Sequence, residues 1–359
     1  MGDFEKRERL GAGHFGEVWL EFDRALGVDR AVKYIIPRKV TSPQEVFREA
    51  QLLATLSHPN IVQVHEAGQL EDGTIYIVMD HCRRGSIESR YKGRALALKK
   101  VRKILVDILR GLEYAHANKI LHRDIKPANI LCKSAADYML SDFGLAVRLG
   151  SATPDKIYGY VSHLAPEVIT QGRFGEAADV FAAGVTGYRL INGDSMIAAF
   201  STLQELKDRI VRGIHPRRDK YKIYVPRNLR AVINKALEID PACRFHSAKE
   251  FRHALEQVSI HCSWRENAVK DGTHWITEER GTVTEVRVLR SAMGVHTLSV
   301  HRGPSHPLRQ VHAFDYSSRR EVEILRRVAQ ITQRMAERGK LLPSVGGASI
   351  RLATPSREK

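Results

Sequence analysis

Three glycines near the start of the chain have the spacing of a loop that closes over phosphate groups. Gly11, Gly13 and Gly16 form a G-x-G-x-x-G pattern, and glycine lets the backbone approach a ligand where a Cβ atom would clash. Two arrangements share this spacing: a dinucleotide-binding turn that leads into a helix, and a phosphate-covering loop that joins two strands. Residues 17–22 alternate apolar and polar side chains. This alternation favours a strand, and therefore the hairpin arrangement.

A lysine within a short apolar segment is a second group suited to binding phosphate. Residues 30–36 predict a strand, with Lys33 at its centre. A lysine in such a strand usually faces solvent. A helix is predicted next, with Ser42 as its N-cap and Glu49 within it. Glu49 is either an ordinary surface residue or the ion-pair partner that holds Lys33 on two phosphates.

Further along the chain, polar residues occur in ordered motifs. Residues 122–129 read His-Arg-Asp-Ile-Lys-Pro-Ala-Asn and follow a predicted amphipathic helix; Asp-Phe-Gly at 142–144 and Ala-Pro-Glu at 165–167 come next. Together with the glycine pattern, these motifs and their separations resemble the eukaryotic-type serine/threonine protein kinase family. Several motifs in order are far more specific than any one alone. The resemblance covers about residues 4–258.

The resemblance implies an α+β, bilobal protein kinase fold. The β-rich N-lobe would span residues 4–79, the hinge 80–85 and the helical C-lobe 86–258. Residues 259–340 would form a small appended α+β domain that the resemblance does not explain. Residues 341–359 are rich in glycine, proline and serine, and they predict a flexible tail.

Phosphoryl transfer asks a protein mainly to position reactants and to neutralise charge, and the resemblance implies a residue for each task. Asp124 would accept or orient the attacking hydroxyl group, and Lys126 would approach the γ-phosphate. Asn129 and Asp142 would be the ligands of Mg²⁺, which prefers carboxylate and amide oxygens beside substrate phosphates. Since every polar position of the family pattern is filled, the sequence weighs against an inactive relative.

The resemblance also implies an ATP site built mainly from the N-lobe and the hinge. The glycine loop would cover the triphosphate, Lys33 would hold the α- and β-phosphates, and Glu49 would keep Lys33 in place. Apolar side chains would enclose the adenine, although each of them is equally compatible with an ordinary core position. The full predicted set is Gly11, Gly13, Gly16, Val18, Ala31, Lys33, Glu49, Met79, Asp80, Cys82 and Leu131.

The pair Lys126 and Pro127 is the pattern of serine/threonine kinases rather than tyrosine kinases, so the resemblance implies transfer to Ser and Thr hydroxyls of protein substrates. Arg123, before the catalytic aspartate, is often used in this family to bind a phosphate on the activation segment. Tyr160 and His163 depart from the family pattern, which has threonine and an aromatic residue there. The candidate phosphorylation sites are Ser151, Thr153, Tyr158 and Ser162.

Two further contacts are expected in the C-lobe by the same resemblance. Glu167 would pair with a buried arginine, here Arg244. Asp179 would anchor the backbone of the catalytic loop. Loss of one partner of a buried ion pair costs about 3–5 kcal/mol, so we expect these positions to affect stability before chemistry.

The C-terminal residues 259–359 are basic, with seventeen Lys or Arg against ten Asp or Glu and a net charge of +7. Alternation predicts strands over 282–289 and 295–301, and a helix is predicted from Ser318, with Glu321 closing a capping box. Trp264 and Trp275 are expected in the core of this region. Arginines repeat along one side of the helix, forming either a solvated face or an anion-binding surface: Arg320, Arg327, Arg334 and Arg338.

The composition of the whole chain narrows its class and its surroundings. Hydrophobic residues make up 43% and charged residues 27%, which is typical of a folded globular protein. The formal net charge of +16 predicts attraction to anions. We expect a soluble, cytoplasmic protein without a membrane partner, because the chain has neither a signal-peptide pattern nor a run of eighteen apolar residues. The four widely spaced cysteines predict neither a zinc site nor a disulfide scaffold.

Two hypotheses therefore remain open from the sequence. In the first, the chain is an ATP- and Mg²⁺-dependent serine/threonine protein kinase whose basic C-terminal domain selects substrate, partner or location. In the second, the chain is a nucleotide-binding scaffold with a kinase fold, and its basic domain binds nucleic acid or an acidic partner. The complete set of polar residues favours the first, and the unusual Tyr160 and His163 keep the second.

Overall fold

The chain divides into two compact units in a computed structural model. The first unit comprises Met1–Lys222 and Arg227–Val258, and the second comprises Ile223–Pro226 and Ser259–Lys359. The chain thus leaves the first unit for four residues before it returns. The residues that the structure describes are 3–12, 16–36, 47, 50–51, 53–143, 161–197, 199–304 and 307–341.

An antiparallel sheet of five strands occupies the N-terminal part of the first unit. Its order is β1-β2-β3-β5-β4. β3 lies in the middle because its apolar side chains are buried, whereas β1 lies at the edge and exposes nearly all of its side chains. β1 and β2 form the hairpin that the alternation of residues 17–22 predicts. The strands are β1 (Phe4–Ala12), β2 (Gly16–Asp23), β3 (Val28–Ile35), β4 (Val64–Gln69) and β5 (Ile75–Asp80).

The predicted helix between β3 and β4 is described only in part. Ser42 and Glu49 lie outside the described residues, so the expected pair of Glu49 with Lys33 is not part of the description. The described helical residues are Phe47, Ala50, Gln51, Leu53 and Ala54.

The rest of the first unit is mainly helical. The 20-residue helix α2 buries one continuous face, because its apolar residues recur every three or four positions. Helix α4 is buried on almost all sides, as its alanine, valine and glycine content permits. The helices are α1 (Ile87–Tyr91), α2 (Leu98–Ala117), α3 (Pro166–Gln171), α4 (Glu176–Asn192), α5 (Leu203–Val211), α6 (Arg227–Ala236) and α7 (Ala248–Glu256).

Two short strands position the polar residues between α2 and α3. β6 (Ile130–Cys132) and β7 (Tyr138–Leu140) pair antiparallel. Asn129 directly precedes β6, and Asp142 follows β7 by two residues. Because the two strands are paired, they bring these two side chains to the same end of the hairpin.

The second unit is a six-stranded antiparallel sheet with one long helix. Its order is β12-β11-β10-β9-β8, and β13 also pairs with β11. The two predicted strands correspond to β10 and β11. β8 was not predicted because all five of its residues are exposed and show no alternation. The strands are β8 (Arg265–Val269), β9 (Gly272–Glu279), β10 (Thr282–Arg290), β11 (His296–Gly303), β12 (Arg309–Gln310) and β13 (Tyr316–Ser318).

The long helix of this unit is α8 (Glu321–Arg338). The capping box predicted for it is wrong: Arg320 is the N-cap residue and makes no side-chain cap hydrogen bond. The Ser318 hydroxyl instead accepts from the backbone N–H of Arg320 at 3.0 Å and donates to Glu323 at 2.9 Å. The buried face runs through Ile324, Val328, Ile331, Thr332, Met335 and Ala336, whereas Val322 on another side of the helix is 68% exposed.

Both predicted core tryptophans of the second unit are buried. The indole N–H of Trp264 donates to the carbonyl of Thr332 on α8 at 3.0 Å. The Gln333 amide, next in the helix, donates to the carbonyl of Ile223 at 2.7 Å. Residue 223 belongs to this unit, so the helix and the four-residue segment are hydrogen bonded to each other. The tail predicted over 341–359 lies outside the described residues beyond Leu341.

Candidate active site

Lys33 and Asp142, separated by 109 positions in the sequence, meet in an ion pair with a hydrogen bond. Lys33 lies in the middle of the sheet, opposite Val18 of β2 and Ile77 of β5. Asp142 has a φ of 55°, a left-handed conformation that is unusual for a residue with a Cβ atom. Such backbone strain is often found at functional sites.

The electrostatic surroundings of Asp142 keep its carboxyl group ionised. Burial alone would raise the pKa of this group. The charge and hydrogen bond of Lys33 oppose that effect, and Lys126 and His122 add to the opposition, so the pKa of Asp142 lies below its ordinary value. Asp142 is therefore a carboxylate at neutral pH.

Asp124 is the centre of a second polar group. The ammonium group of Lys126 donates to Oδ2 of Asp124 at 2.6 Å. The amide nitrogen of Asn129 donates to the same oxygen at 2.8 Å and to the backbone carbonyl of Asp124 at 2.8 Å. These bonds fix the orientation of both the carboxylate and the amide.

A backbone link joins the two polar groups. Ser141 precedes Asp142, and its N–H and hydroxyl donate to the carbonyl of Asn129 at 3.0 and 3.2 Å. The Lys33–Asp142 pair is therefore linked to Asn129 and Asp124 through the peptide bond between Ser141 and Asp142 and the hydrogen bonds of Ser141 to Asn129.

Helix α4 anchors the loop that carries Asp124. The carboxylate of Asp179, which is 2% exposed, accepts from the backbone N–H groups of His122 and Arg123 at 2.9 and 2.7 Å. Arg123 has a φ of 67°, so the carboxylate stabilises a strained turn. Nε2 of His116 on α2 lies at hydrogen-bond distance, 2.9 Å, from Oδ2 of Asp179. His116 belongs to none of the sequence motifs; its signal in the sequence is a polar residue on the apolar face of an amphipathic helix.

His122 is a buried, uncharged member of this loop. Its ring lies 4.5 Å from the ring of Phe143, and its Nδ1 accepts from the backbone N–H of Asp124 at 3.3 Å. Burial lowers the pKa of His122 below its ordinary value. The imidazole thus packs as a neutral ring between the Asp124 and Asp142 segments.

Glu167 and Arg244 form the buried ion pair expected from the resemblance. Two parallel hydrogen bonds join their side chains, at 2.7 and 2.8 Å. The Arg244 guanidinium also donates to the carbonyls of Ala177, Glu238 and Ile239. A fully buried guanidinium is tolerated here because its hydrogen bonds are satisfied.

Of the residues predicted to enclose adenine, Ala31 shares β3 with Lys33, Val18 lies in the neighbouring β2, and Leu131 lies in β6 of the separate two-stranded sheet. Ala31 is buried in β3 opposite Met79 of β5. Val18 of β2, Leu131 of β6 and Met79 are partly exposed, which distinguishes them from the fully buried core.

The hinge residues Asp80 and Cys82 have side chains with other tasks. The Asp80 carboxylate accepts from Arg30 at 3.0 Å and contacts His65 at 2.6 Å. Burial raises the pKa of the Cys82 thiol to about 11, so it is a protonated thiol rather than a reactive thiolate. Any adenine contact in this segment is thus expected from the backbone.

The glycines of the loop differ in their surroundings. A Cβ atom at Gly16 would lie 1.7 Å from the carbonyl oxygen of Tyr34, whereas one at Gly11 would meet no atom within 4 Å. Gly16 is therefore required by the close approach of β2 and β3, whatever the loop binds. Gly13 lies outside the described residues.

Most of the predicted activation segment also lies outside the described residues: Ser151, Thr153, Tyr158 and Tyr160. Ser162 is described, and its hydroxyl is 3.1 Å from Nδ1 of His163. His163 is buried at 4% exposure, and burial holds its pKa well below the ordinary value. The unusual histidine thus packs as a neutral ring.

Comparison with known proteins assigns the first unit. The family model described as "Protein kinase domain" matches residues 4–256, which is more than half of the chain. The chain belongs to the protein kinase family. Within the described residues of this kinase no helix is long and apolar enough to cross a membrane, and no cluster of three metal-ligating side chains occurs.

Several of the named relatives of this chain are bacterial. The serine/threonine-protein kinase PknJ of Mycobacterium tuberculosis is 33% identical over 259 residues, which cover 68% of this chain and 43% of PknJ. PknA of the same species is 31% identical, over 72% of this chain and 61% of PknA. PrkC of Bacillus subtilis is 30% identical, over 69% of this chain and 39% of PrkC. The kinase therefore spans about half the length of these relatives.

A solved structure gives the same family. The crystal structure of Rad53 residues 1–466 in complex with AMP-PNP superposes with a TM-score of 0.60 and 27% sequence identity. The superposition covers 70% of this kinase and 64% of the Rad53 chain.

Proposed function

We propose that this chain is an ATP- and Mg²⁺-dependent kinase that phosphorylates Ser and Thr side chains of proteins. One observation carries the proposal: the Lys33–Asp142 ion pair is linked to Asn129 and Asp124 through Ser141, the neighbour of Asp142, which hydrogen bonds to the carbonyl of Asn129. Phosphoryl transfer needs a cation for the phosphates, oxygen ligands for a metal and a carboxylate for the attacking hydroxyl. This network supplies all three.

ATP would bind across the sheet of the first unit and the hinge. Lys33 would hold the α- and β-phosphates, and Val18, Ala31 and Leu131 would enclose the adenine. The AMP-PNP named in the Rad53 structure and the kinase names of the relatives support a nucleotide at this position. The residues 80–85 would supply backbone groups to the base.

The donor set fits Mg²⁺. Asp142 is ionised and uses Oδ1 for Lys33. Asn129 uses its amide nitrogen for Asp124, so its side-chain oxygen is the atom that remains for a cation. Carboxylate and amide oxygens are the ligands Mg²⁺ prefers beside phosphates. When bound, the metal would neutralise charge on the phosphate oxygens.

Asp124 would receive the proton of the substrate hydroxyl. Lys126 and Asn129 occupy Oδ2, which leaves Oδ1 as the acceptor. The substrate hydroxyl would give its proton to Oδ1 of Asp124. The hydroxyl oxygen would then form a bond to the γ-phosphorus while the bond between the γ-phosphorus and the leaving ADP oxygen breaks. Lys126 beside Asp124 would stabilise the negative charge on the transferred group.

The test is transfer of radiolabelled phosphate from ATP to generic protein substrates, followed by identification of the phosphorylated amino acid. We expect phosphoserine and phosphothreonine from the wild-type chain. Asp124→Asn should abolish transfer and retain ATP binding. Asp208→Asn, on an exposed position of α5, is the matched control and should be fully active. Absence of transfer before and after activation, or full activity of Asp124→Asn, would refute the proposal.

The domain division and the location follow as parts of the same proposal. We propose a kinase domain over residues 4–258 and a basic accessory domain over 259–340 that selects a partner. A cytoplasmic location is proposed because ATP is available there and because the four widely spaced cysteines do not suggest the disulfide scaffold of a protein from an oxidising compartment. Cell fractionation with an antibody to the chain tests the location.

A further inference from the structure

The second unit contains an open groove along helix α8. Its volume, including the open mouth, is about 410 Å³. Buried Leu298 and Ile331 line it together with Phe314. Arg327 and Arg334 also line it, and Gln330 lies between them on the helix. The groove therefore combines apolar surface with two guanidinium groups and one carboxylate, that of Asp315.

The two arginines lie on the same side of helix α8. They are seven residues apart, which corresponds to two turns and about 10 Å along the axis. The guanidinium group of Arg327 lies 3.7 Å from the ring centroid of Tyr316. Stacking on an aromatic ring orients a guanidinium and leaves its N–H groups for hydrogen bonding. Both side chains are half-buried.

The carboxylates nearby are committed to other groups. Glu323, one turn before Arg327, binds instead to Ser318 at 2.9 Å and to Arg320 at 3.3 Å. Asp315 accepts from Gln310 and contacts His312, each at 2.9 Å. Among the described residues, no carboxylate oxygen lies within 4.0 Å of a guanidinium nitrogen of Arg327 or Arg334.

The charge of the groove limits what fits it. The two guanidinium groups outnumber the one carboxylate of the lining, Asp315, which is bonded to Gln310 and His312. The three oxygens of a phosphorylated Ser or Thr can accept hydrogen bonds from both guanidinium groups. A nucleic acid would present a repeating charge, whereas this groove places its two arginines beside apolar side chains.

We propose that this groove is a docking site for a protein segment that carries a phosphorylated Ser or Thr next to an apolar residue. The phosphate lies between Arg327 and Arg334, and the apolar side chain packs against Leu298, Phe314 and Ile331. The inference goes beyond the proposed kinase activity and does not rest on it, because the groove belongs wholly to the second unit.

The test measures binding by the full chain in the absence of ATP. The probe is a fluorescein-labelled nonapeptide library with a fixed central phosphothreonine and apolar residues at the neighbouring positions, followed by fluorescence anisotropy. We expect saturable binding that falls at least about tenfold when Thr or Glu replaces phosphothreonine. Equal binding of the three libraries, or no binding of the phosphorylated one, would overturn the proposal.

Variants locate the site. Arg334→Gln should weaken binding of the phosphorylated library about tenfold or more, and Arg327→Ala should do the same. Arg326→Gln is the matched control, because Arg326 lies on the same helix but is exposed; its affinity should equal that of wild type. Equal losses in Arg326→Gln and Arg334→Gln would show general charge attraction and overturn the site.

Folding and competition controls complete the experiment. Arg334 makes no hydrogen bond with any residue that the structure describes, so Arg334→Gln should keep the wild-type Tm and decides the matter if Arg327→Ala unfolds. Random-sequence duplex DNA is the competitor for the rival class of ligand. Displacement of the peptide by DNA, with a midpoint that Arg334→Gln shifts, would assign the groove to nucleic acid and refute the proposal.

Discussion

Gly16 lies against the backbone of Tyr34 so closely that a Cβ atom at position 16 would be 1.7 Å from the Tyr34 carbonyl oxygen. The two residues are not register partners; Gly16 pairs with Ile35, the next residue of β3. The glycine is thus part of the sheet as well as part of the loop. A Cβ atom at Gly11 would meet no other atom within 4 Å. A substitution at Gly11 therefore tests the loop without a clash in the sheet.

Alanine at these two glycines should give different results. Gly16→Ala forces β2 and β3 apart, so we expect a loss of about 1–3 kcal/mol in the free energy of unfolding, measured by urea denaturation. Gly11→Ala should leave that free energy unchanged and raise the KM for ATP, because the loop would cover the phosphates. Equal stability of the two variants would contradict the packing role of Gly16.

Replacement of Lys33 by Met should remove activity with little loss of stability. The ion pair with Asp142 is partly open to solvent, so its contribution to folding is small. Its contribution to transfer should be large: we expect kcat/KM for ATP to fall roughly 100-fold or more, since the charge that would hold the α- and β-phosphates in position is lost. Lys249→Met, at an exposed position of α7, is the control. A Lys33→Met variant as active as this control would rule out the role.

The Glu167–Arg244 pair should be essential for folding. Because Arg244 has a fully buried side chain, Arg244→Ala leaves a buried carboxylate unpaired and should cost about 3–5 kcal/mol. Thermal and urea unfolding provide the measurement. The exposed pair of Arg217 and Asp219 is the control, and Arg217→Ala should change stability by less than about 1 kcal/mol. Similar effects of the two variants would mean that burial of the first pair is unimportant.

Acid should destabilise the first unit before its carboxylates titrate. Burial lowers the pKa of His163, and burial lowers that of His215 to about 4. A histidine whose pKa is lower in the folded state takes up its proton more readily when unfolded. Its stabilisation is therefore present above the unfolded value of about 6.5 and is lost as pH falls from there toward 4.

The measurement is urea denaturation between pH 8 and pH 4.5. The lowering of the His215 pKa from 6.5 to about 4 corresponds to a loss of about 3 kcal/mol across its full range. His163→Phe removes one titrating ring and should flatten the profile, while His246→Phe, at an exposed position, should not. An identical pH profile for wild type and His163→Phe would show that this ring does not carry the effect.

The sequence predicts the first unit well because its function restricts local residue types. Asp124, Asn129 and Asp142 are identified by motif; in the structure Asn129 is hydrogen bonded to Asp124 and to Ser141, which precedes Asp142. The pairing of Glu167 with Arg244, 77 positions apart, also follows from the family resemblance. His116 could not be found this way, because its contact with Asp179 depends on how α2 and α4 pack.

The second unit was predicted less completely, and the reasons are physical. β8 is an exposed edge strand, so it lacks the alternation that reveals a half-buried strand. Ser318 resembles a helix cap in sequence, but its hydroxyl bonds to Arg320 and Glu323 and the helix begins at Glu321. The groove beside Arg327 depends on Tyr316 and Phe314, whose approach to the helix leaves no local pattern.

Because Ile223–Pro226 belong to the second unit, no single cut in the chain produces two fragments that each contain one complete unit. A fragment that stops at Val258 retains Ile223 but discards Gln333, whose amide binds the Ile223 carbonyl. A fragment that starts at Ser259 lacks these four residues. A cut near the end of the family match would therefore leave both fragments incomplete.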